Sequence, residues 1–228
     1  MSKPEQLVFD LPTRPAQGRD DFFVAESNAL AVAMLDQWPD WATGKLALVG
    51  PRASGKSHLV EVWAARSGGV IVPIADIANA DIEALTEAGA VAVEDVDGTA
   101  DLANQTQTEE ALFHLHNALK SAGGTLLVTG IEPPSRWPIA LPDLASRLNA
   151  AEVAVLDAPD DTLLSVVLVK MFADRQIEVT PDLIQYLLPR IDRSFEAARQ
   201  IVETLDRAGL SKKRAITPRL AGEVLKNL

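Results

Sequence analysis

Residues 50–57 read Gly50-Pro51-Arg52-Ala53-Ser54-Gly55-Lys56-Ser57, which fills the pattern G-x-x-x-x-G-K-[ST] at every position. Glycines let the backbone bend so that its N–H groups converge on phosphate oxygens, and a helix that follows adds the positive end of its dipole. The lysine reaches the β- and γ-phosphates, and the hydroxyl residue is a ligand for Mg²⁺. At ordinary glycine usage the pattern arises by chance in roughly one chain of this length in a hundred. Its surroundings tell against chance here. Leu46–Val49 is a short apolar run with the character of a buried strand, and His58–Arg66 has a helical pattern closed by Gly68-Gly69.

Outward from that loop, short apolar runs alternate with helical stretches. Val70–Ile74, Ala90–Val93, Thr125–Thr129 and Val153–Leu156 read as strands, while Asp81–Ala88 and Glu109–Ser121 read as helices. Ala29–Trp38 has helical spacing, with Ser27 or Asn28 as its N-cap. Strands separated by helices predict an α/β fold whose parallel sheet is covered on both faces. After Pro159 the strand signal stops. Asp160–Arg175, a helix opened by Thr180-Pro181, Ser194–Ala208 closed by Gly209, and a helix opened by Thr217-Pro218 predict an all-helical unit. The expected organisation is an irregular arm over 1–20, an α/β domain over 21–158 and a helical domain over 159–228.

The charge balance narrows the partners. The chain has 32 acidic residues against 21 basic ones, a net charge of −11. No Lys or Arg occurs between Arg66 and Lys120. Direct binding to duplex DNA is disfavoured, since such binders neutralise phosphates with basic residues. Lys212-Lys213-Arg214 reads as a solvated turn between helices. Cysteine is absent, which excludes thiolate chemistry and disulfides and suits a reducing, cytoplasmic setting. No signal peptide or apolar run of membrane-spanning length is visible, so no membrane partner is expected.

Other candidates surround the loop. Val91-Ala92-Val93-Glu94-Asp95-Val96-Asp97 is a buried strand ending in carboxylates, as a Mg²⁺-nucleotide site requires at the carboxyl ends of its strands. The usual Asp-then-Glu order is inverted in Glu94-Asp95, which lowers the expectation of efficient hydrolysis by the chain itself. Thr129 ends a strand and is a candidate to face a γ-phosphate. His58, His114 and His116 show no metal-ligand spacing and read as structural.

Several stretches then resemble a known family. Gly55-Lys56-Ser57-His58-Leu59 is similar to the end of the phosphate loop in DnaA, the bacterial replication initiator. Ala111-Leu112-Phe113-His114-Leu115-His116-Asn117, Thr129-Gly130 with Pro133-Pro134, and Leu141-Pro142-Asp143-Leu144-Ala145-Ser146-Arg147-Leu148 resemble the Hda group more closely. These are DnaA paralogues of the AAA+ class that lack the DNA-binding domain and act in regulatory inactivation of DnaA. The resemblance implies an AAA+ P-loop fold with a small all-helical lid. It implies that ADP or ATP with Mg²⁺ is held by residues 50–58 (Gly50, Arg52, Ala53, Ser54, Gly55, Lys56, Ser57 and His58), with Ser57 and Glu94 on the metal.

The family's adenine-lining segment maps to Phe22, Phe23, Val24 and Asn28, and its arginine finger to Arg147, which acts on a neighbour's nucleotide. An N-terminal peptide of the family binds the β sliding clamp. Gln6-Leu7-Val8-Phe9-Asp10-Leu11 is similar to it, presenting Leu7, Phe9 and Leu11 to an apolar groove and the Gln6 amide to polar partners. There are departures. Ala53 stands where the loop has glycine, at a cost of about 1 kcal/mol if φ is positive. Glu196 stands where the lid arginine is expected, leaving Arg193 and Arg199 as substitutes. The implied function is negative regulation of replication initiation: docking on the clamp, contacting DNA only through it, and stimulating hydrolysis by DnaA, with weak or no ATPase of its own and a possible homo-oligomer. The alternative is an autonomous AAA+ ATPase of the helicase-loader type.

Overall fold

The computed structural model describes residues 23–101, 103–212 and 214–226. Residues 6–11 and Phe22 therefore lie outside the described residues, as does Lys213.

Five strands form one parallel sheet: β1 (Lys45–Val49), β2 (Val70–Pro73), β3 (Ala90–Glu94), β4 (Thr125–Gly130) and β5 (Glu152–Val155), in the spatial order β2-β3-β4-β1-β5. Burial on both faces explains why β1, β3 and β4 read as unbroken apolar runs rather than as alternating ones. Ala47, Val49, Val91, Val93, Leu126 and Val128 face one core, with Leu112, Leu115 and Leu119 of α4 (Gln105–Ala122). Leu46, Leu48, Ala90, Ala92 and Leu127 face the other. On that second face the small Ala90 and Ala92 share a cluster with Trp41 and Trp63, whose rings stack at 5.8 Å. Small strand residues leave room for the large rings in this layer. Leu59, Val60 and Trp63 of α2 (Lys56–Ser67) and Ala31 and Leu35 of α1 (Ala29–Asp36) complete it.

The remaining helices of this unit are α3 (Ile82–Ala88), capped by Asp81 through the Ala84 N–H, and α5 (Pro142–Asn149). The sequence reading gave α5 no helix. Its eight residues carry only Leu144 and Leu148 as buried positions, too short a stripe to recognise. Asn28 is the N-cap position of α1 but caps nothing with its side chain, which instead joins the Ala25 N–H and the Phe23 carbonyl.

After β5 the chain is helical: α6 (Asp161–Asp174), α7 (Pro181–Leu187), α8 (Phe195–Lys212) and α9 (Pro218–Leu225). Asp160 caps α6 and Thr217 caps α9 by accepting backbone N–H bonds, whereas the Thr180 side chain makes no cap bond. Phe172, Leu164, Leu187 and Val202 centre the bundle's own core. Gly209 does not close α8, which runs three residues further. Its missing Cβ serves a close approach instead: a methyl group there would meet Ile216 at 3.2 Å and the Arg214 carbonyl at 3.3 Å. Among the described residues no helix is long and apolar enough to cross a membrane.

Candidate functional site

The phosphate loop leaves β1 at its carboxyl end and turns into α2. Gly50 is forced by proximity, because a Cβ there would stand 2.3 Å from the Leu156 carbonyl at the end of β5. Gly55 has φ 100°, and a Cβ there would meet the Phe195 ring at 2.7 Å. Ala53 adopts φ 57°, so the alanine does carry the left-handed strain of about 1 kcal/mol expected from its departure from glycine. The Ala53 carbonyl accepts the Phe195 N–H at 3.1 Å. The helical bundle is thereby fastened directly to the loop. Phe195 is a site residue the sequence reading missed, since nothing local to it marks a contact more than a hundred residues away.

Two adjoining cavities meet at this loop, and Gly55, His58, Met171 and Phe195 line both. The first, of about 300 Å³, is mostly apolar, with Phe23, Asn28, Leu163 and Val167 in its lining. The second, of about 830 Å³, is polar and carries Arg52, Lys56, Ser57, Asp95, Asp97 and Arg199. Lys56 is 8% exposed, and its Nζ donates to the carbonyls of Gly50 at 2.8 Å and Pro51 at 2.9 Å. Burial lowers its pKa from the ordinary lysine value, while Asp95 and then Asp97 act in the opposite direction. The Ser54 hydroxyl is buried without a hydrogen-bond partner among the described residues. A loop of this geometry, an ammonium and an orphaned hydroxyl beside an apolar slot suit an anionic group joined to a flat apolar one.

The acidic strand end differs from expectation. Asp95 and Asp97 line the polar cavity; Glu94, read as the metal ligand, does not, and acts on Lys56 most weakly of the three. The chain leaves β3 at Glu94 and turns at Asp95 with φ 58°. Two bonds from β4 fix that turn: the Asp95 N–H donates to the Thr129 hydroxyl at 2.9 Å, and Asp97 accepts the Ile131 N–H at 2.8 Å. Thr129 is therefore a fully buried strut under the carboxylates and does not line the cavity. Among the described residues no three His or acidic side chains cluster as a metal cage. A Mg²⁺ ion would rely on the Ser57 hydroxyl, an aspartate and the phosphates themselves.

Arg193 and Arg199 differ in position. Arg193 pairs with Asp161 at 3.0 Å, largely exposed, away from the cavity. Arg199 lies on the cavity wall together with Glu196, its ion-pair partner.

Arg147 stands elsewhere. It is exposed in the last turn of α5 and makes no ion pair among the described residues. Its charge acts on Lys45 and His116, at the amino-terminal edge of the sheet. Lys45 and Gly50 bound β1, so the two edges are roughly 15 Å apart. The buried carboxylate of Glu109 on α4 accepts the Ala140 N–H at 3.0 Å and the Leu141 N–H at 2.6 Å, which anchors the start of α5 and so positions Arg147. This role is not legible in the sequence, because a buried Glu on an amphipathic helix looks like any surface Glu.

Residues 161–225 match the family model of the Hda lid domain. Domain III of the replication initiation protein DnaA from Thermotoga maritima superposes with a TM-score of 0.73 at 18% identity, covering 95% of this chain and 98% of that one. A DNA replication initiation factor superposes at 0.70 and 18% identity over 84% of this chain, which spans 65% of its length. The AMPPCP-bound DnaA from Aquifex aeolicus superposes at 0.68 and 17% identity, over 83% of this chain and 65% of that one. At such identities the shared property is the fold.

Proposed function

We propose that this chain, whose residues 161–225 match the Hda lid domain and whose fold is that of DnaA domain III, is a negative regulator of replication initiation that provokes ATP hydrolysis in the initiator's site. The observation that carries this reading is Arg147, an exposed guanidinium in the last turn of α5 that lines neither cavity at the chain's own phosphate loop and whose charge acts instead on Lys45 and His116. A cation there serves a neighbouring molecule's γ-phosphoryl, where arginine fingers stabilise the charge of the transition state.

The chain's own site holds ADP or ATP as a structural ligand. Lys56 and the loop N–H groups receive the phosphates, Phe23 and Asn28 flank the base, and Ser57 with Asp95 or Asp97 retains Mg²⁺. Structures of DnaA with AMPPCP and of a FIGL-1 AAA domain with ADP, of the same fold, support nucleotide as the ligand class. Docking on the β sliding clamp falls to Gln6, Leu7, Phe9 and Leu11, outside the described residues, and brings the regulator to DNA only indirectly. The test is a clamp pull-down with the full chain and with the Gln6→Ala/Leu7→Ala variant. Retention by the wild type and loss in the variant is expected; equal retention removes the docking step.

A further inference from the structure

We propose that a second anion site, for one phosphate-type oxyanion, lies at the amino-terminal edge of the sheet between Lys45, His116 and Lys120. A pocket of about 210 Å³ opens there, walled by those three side chains and by the main chain of Gly44, Gly123 and Gly124. Two of the three are nine-tenths buried, Lys45 at 8% and His116 at 4% exposed. No described residue accepts a hydrogen bond from the Lys45 ammonium or forms an ion pair with it. The charges that act on it, Lys120 and Arg147, are both positive. The neighbouring carboxylate of Glu152 accepts the Ala42 N–H at 2.7 Å. His116 uses Nδ1 toward the Asn117 side-chain oxygen at 3.3 Å, and no described residue bonds its Nε2.

A buried ammonium without a counter-charge is costly, and it is odd in a chain with 32 carboxylates to place near it. The arrangement makes sense when the missing charge comes from a ligand. The pocket is smaller than the 300 Å³ or so at which drug-sized ligands begin, which suits a single oxyanion or the terminal group of a larger molecule. An ammonium from β1 and an imidazole and a second ammonium from successive turns of α4 line the pocket, which suits a tetrahedral oxyanion; a planar carboxylate is matched better by a guanidinium fork. The ligand class is thus phosphate, either free or carried on a small organic molecule. The site does not depend on the role given to Arg147 or on the loop at residues 50–57.

His116 supplies the readout. Burial lowers its pKa, the Asn117 contact raises it, and Lys45 of β1, Arg147 of α5 and Lys120 of α4 lower it further. An anion among these charges reverses their effect. The experiment follows the ring resonances of His116 by NMR in the full chain, with ADP and Mg²⁺ saturating the phosphate loop. Inorganic phosphate is one probe and ribose 5-phosphate the other, and chloride at equal ionic strength is the control.

A saturable rise of the His116 pKa by about half a unit or more is expected, abolished in Lys45→Met and weakened several-fold in the exposed Lys120→Gln. Without ligand, Lys45→Met should itself raise the His116 pKa. A response to inorganic phosphate alone identifies the free ion; a stronger response to ribose 5-phosphate identifies a carried phosphate. No shift with either probe, an equal shift with chloride, or an undiminished shift in both variants overturns the site.

Discussion

Two buried lysines stand at opposite ends of β1, each 8% exposed, and their surroundings could hardly differ more. Lys56, just beyond the carboxyl end, donates to two backbone carbonyls and faces Asp95 and Asp97. Lys45, at the amino end, has no acceptor among the described residues and faces Lys120 and Arg147. The first edge supplies both signs of charge, which suits phosphate and metal together. The charges that act on the second are cationic, and on the proposed reading it is completed from outside: by an anion in the pocket, a partner's phosphoryl group at Arg147, or both. On the proposed reading, one parallel strand separates a site that serves the chain itself from a face that serves other molecules.

The largest effect expected from breaking this division is at the cationic edge. Arg147→Ala should reduce stimulated hydrolysis by DnaA by about 10³–10⁵-fold while leaving ADP affinity near wild type. Arg147→Lys should restore little, because a point charge lacks the planar fork. A steady-state phosphate-release assay with DNA-loaded clamp, beside an ADP titration, measures both halves. At the other edge, Lys56→Ala removes the ammonium from the phosphate cavity, and calorimetry should show ADP binding weakened tenfold or more, about 1.4 kcal/mol. Unchanged affinity would break the assignment of that edge.

A smaller effect should follow from Thr129→Val, which leaves the Asp95 N–H without its acceptor. A loss of about 1 kcal/mol of stability is expected in denaturant unfolding, with a weaker Mg²⁺ dependence of nucleotide binding as the aspartate turn loosens. If Thr129 instead met the phosphate directly, stability would hold and affinity alone would fall.

The smallest effect concerns pH. His116 has a lowered folded pKa, so between that value and about 6.5 the unfolded chain binds more protons than the native one. Its contribution is complete above about 6.5 and is lost as pH falls through that window. His116→Gln should therefore flatten the acid side of the stability profile, read as the wild-type-minus-variant difference between pH 7 and pH 5.5. A parallel offset without a change of slope would contradict it.

Much of the first edge was legible in the sequence, because the phosphate loop is local: glycines, lysine and serine within eight residues define their own geometry. The strand–helix alternation was legible for the same reason, apart from α5 with its two buried leucines. What escaped depends on turns and on distant contacts. The pocket wall at Asp97 rather than Glu94 comes from the Asp95 turn with φ 58°, fixed by β4 thirty-four residues later. Phe195 and Arg199 reach the loop only because the bundle folds back onto it. The cationic edge was least legible. Lys45, His116, Lys120 and Arg147 come from three elements, and each alone looks like a structural or surface residue.

The most direct test asks in which protein the phosphate bond breaks. DnaA preloaded with γ-labelled ATP is mixed with the ADP-bound chain on DNA-loaded clamp, and in a mirror experiment the label is placed in the chain and DnaA carries unlabelled ATP. Labelled phosphate released from DnaA, with label retained by the chain, is the predicted result. Rapid release from the chain while the ATP on DnaA stays intact would contradict it, and would make the protein an ATPase acting for itself.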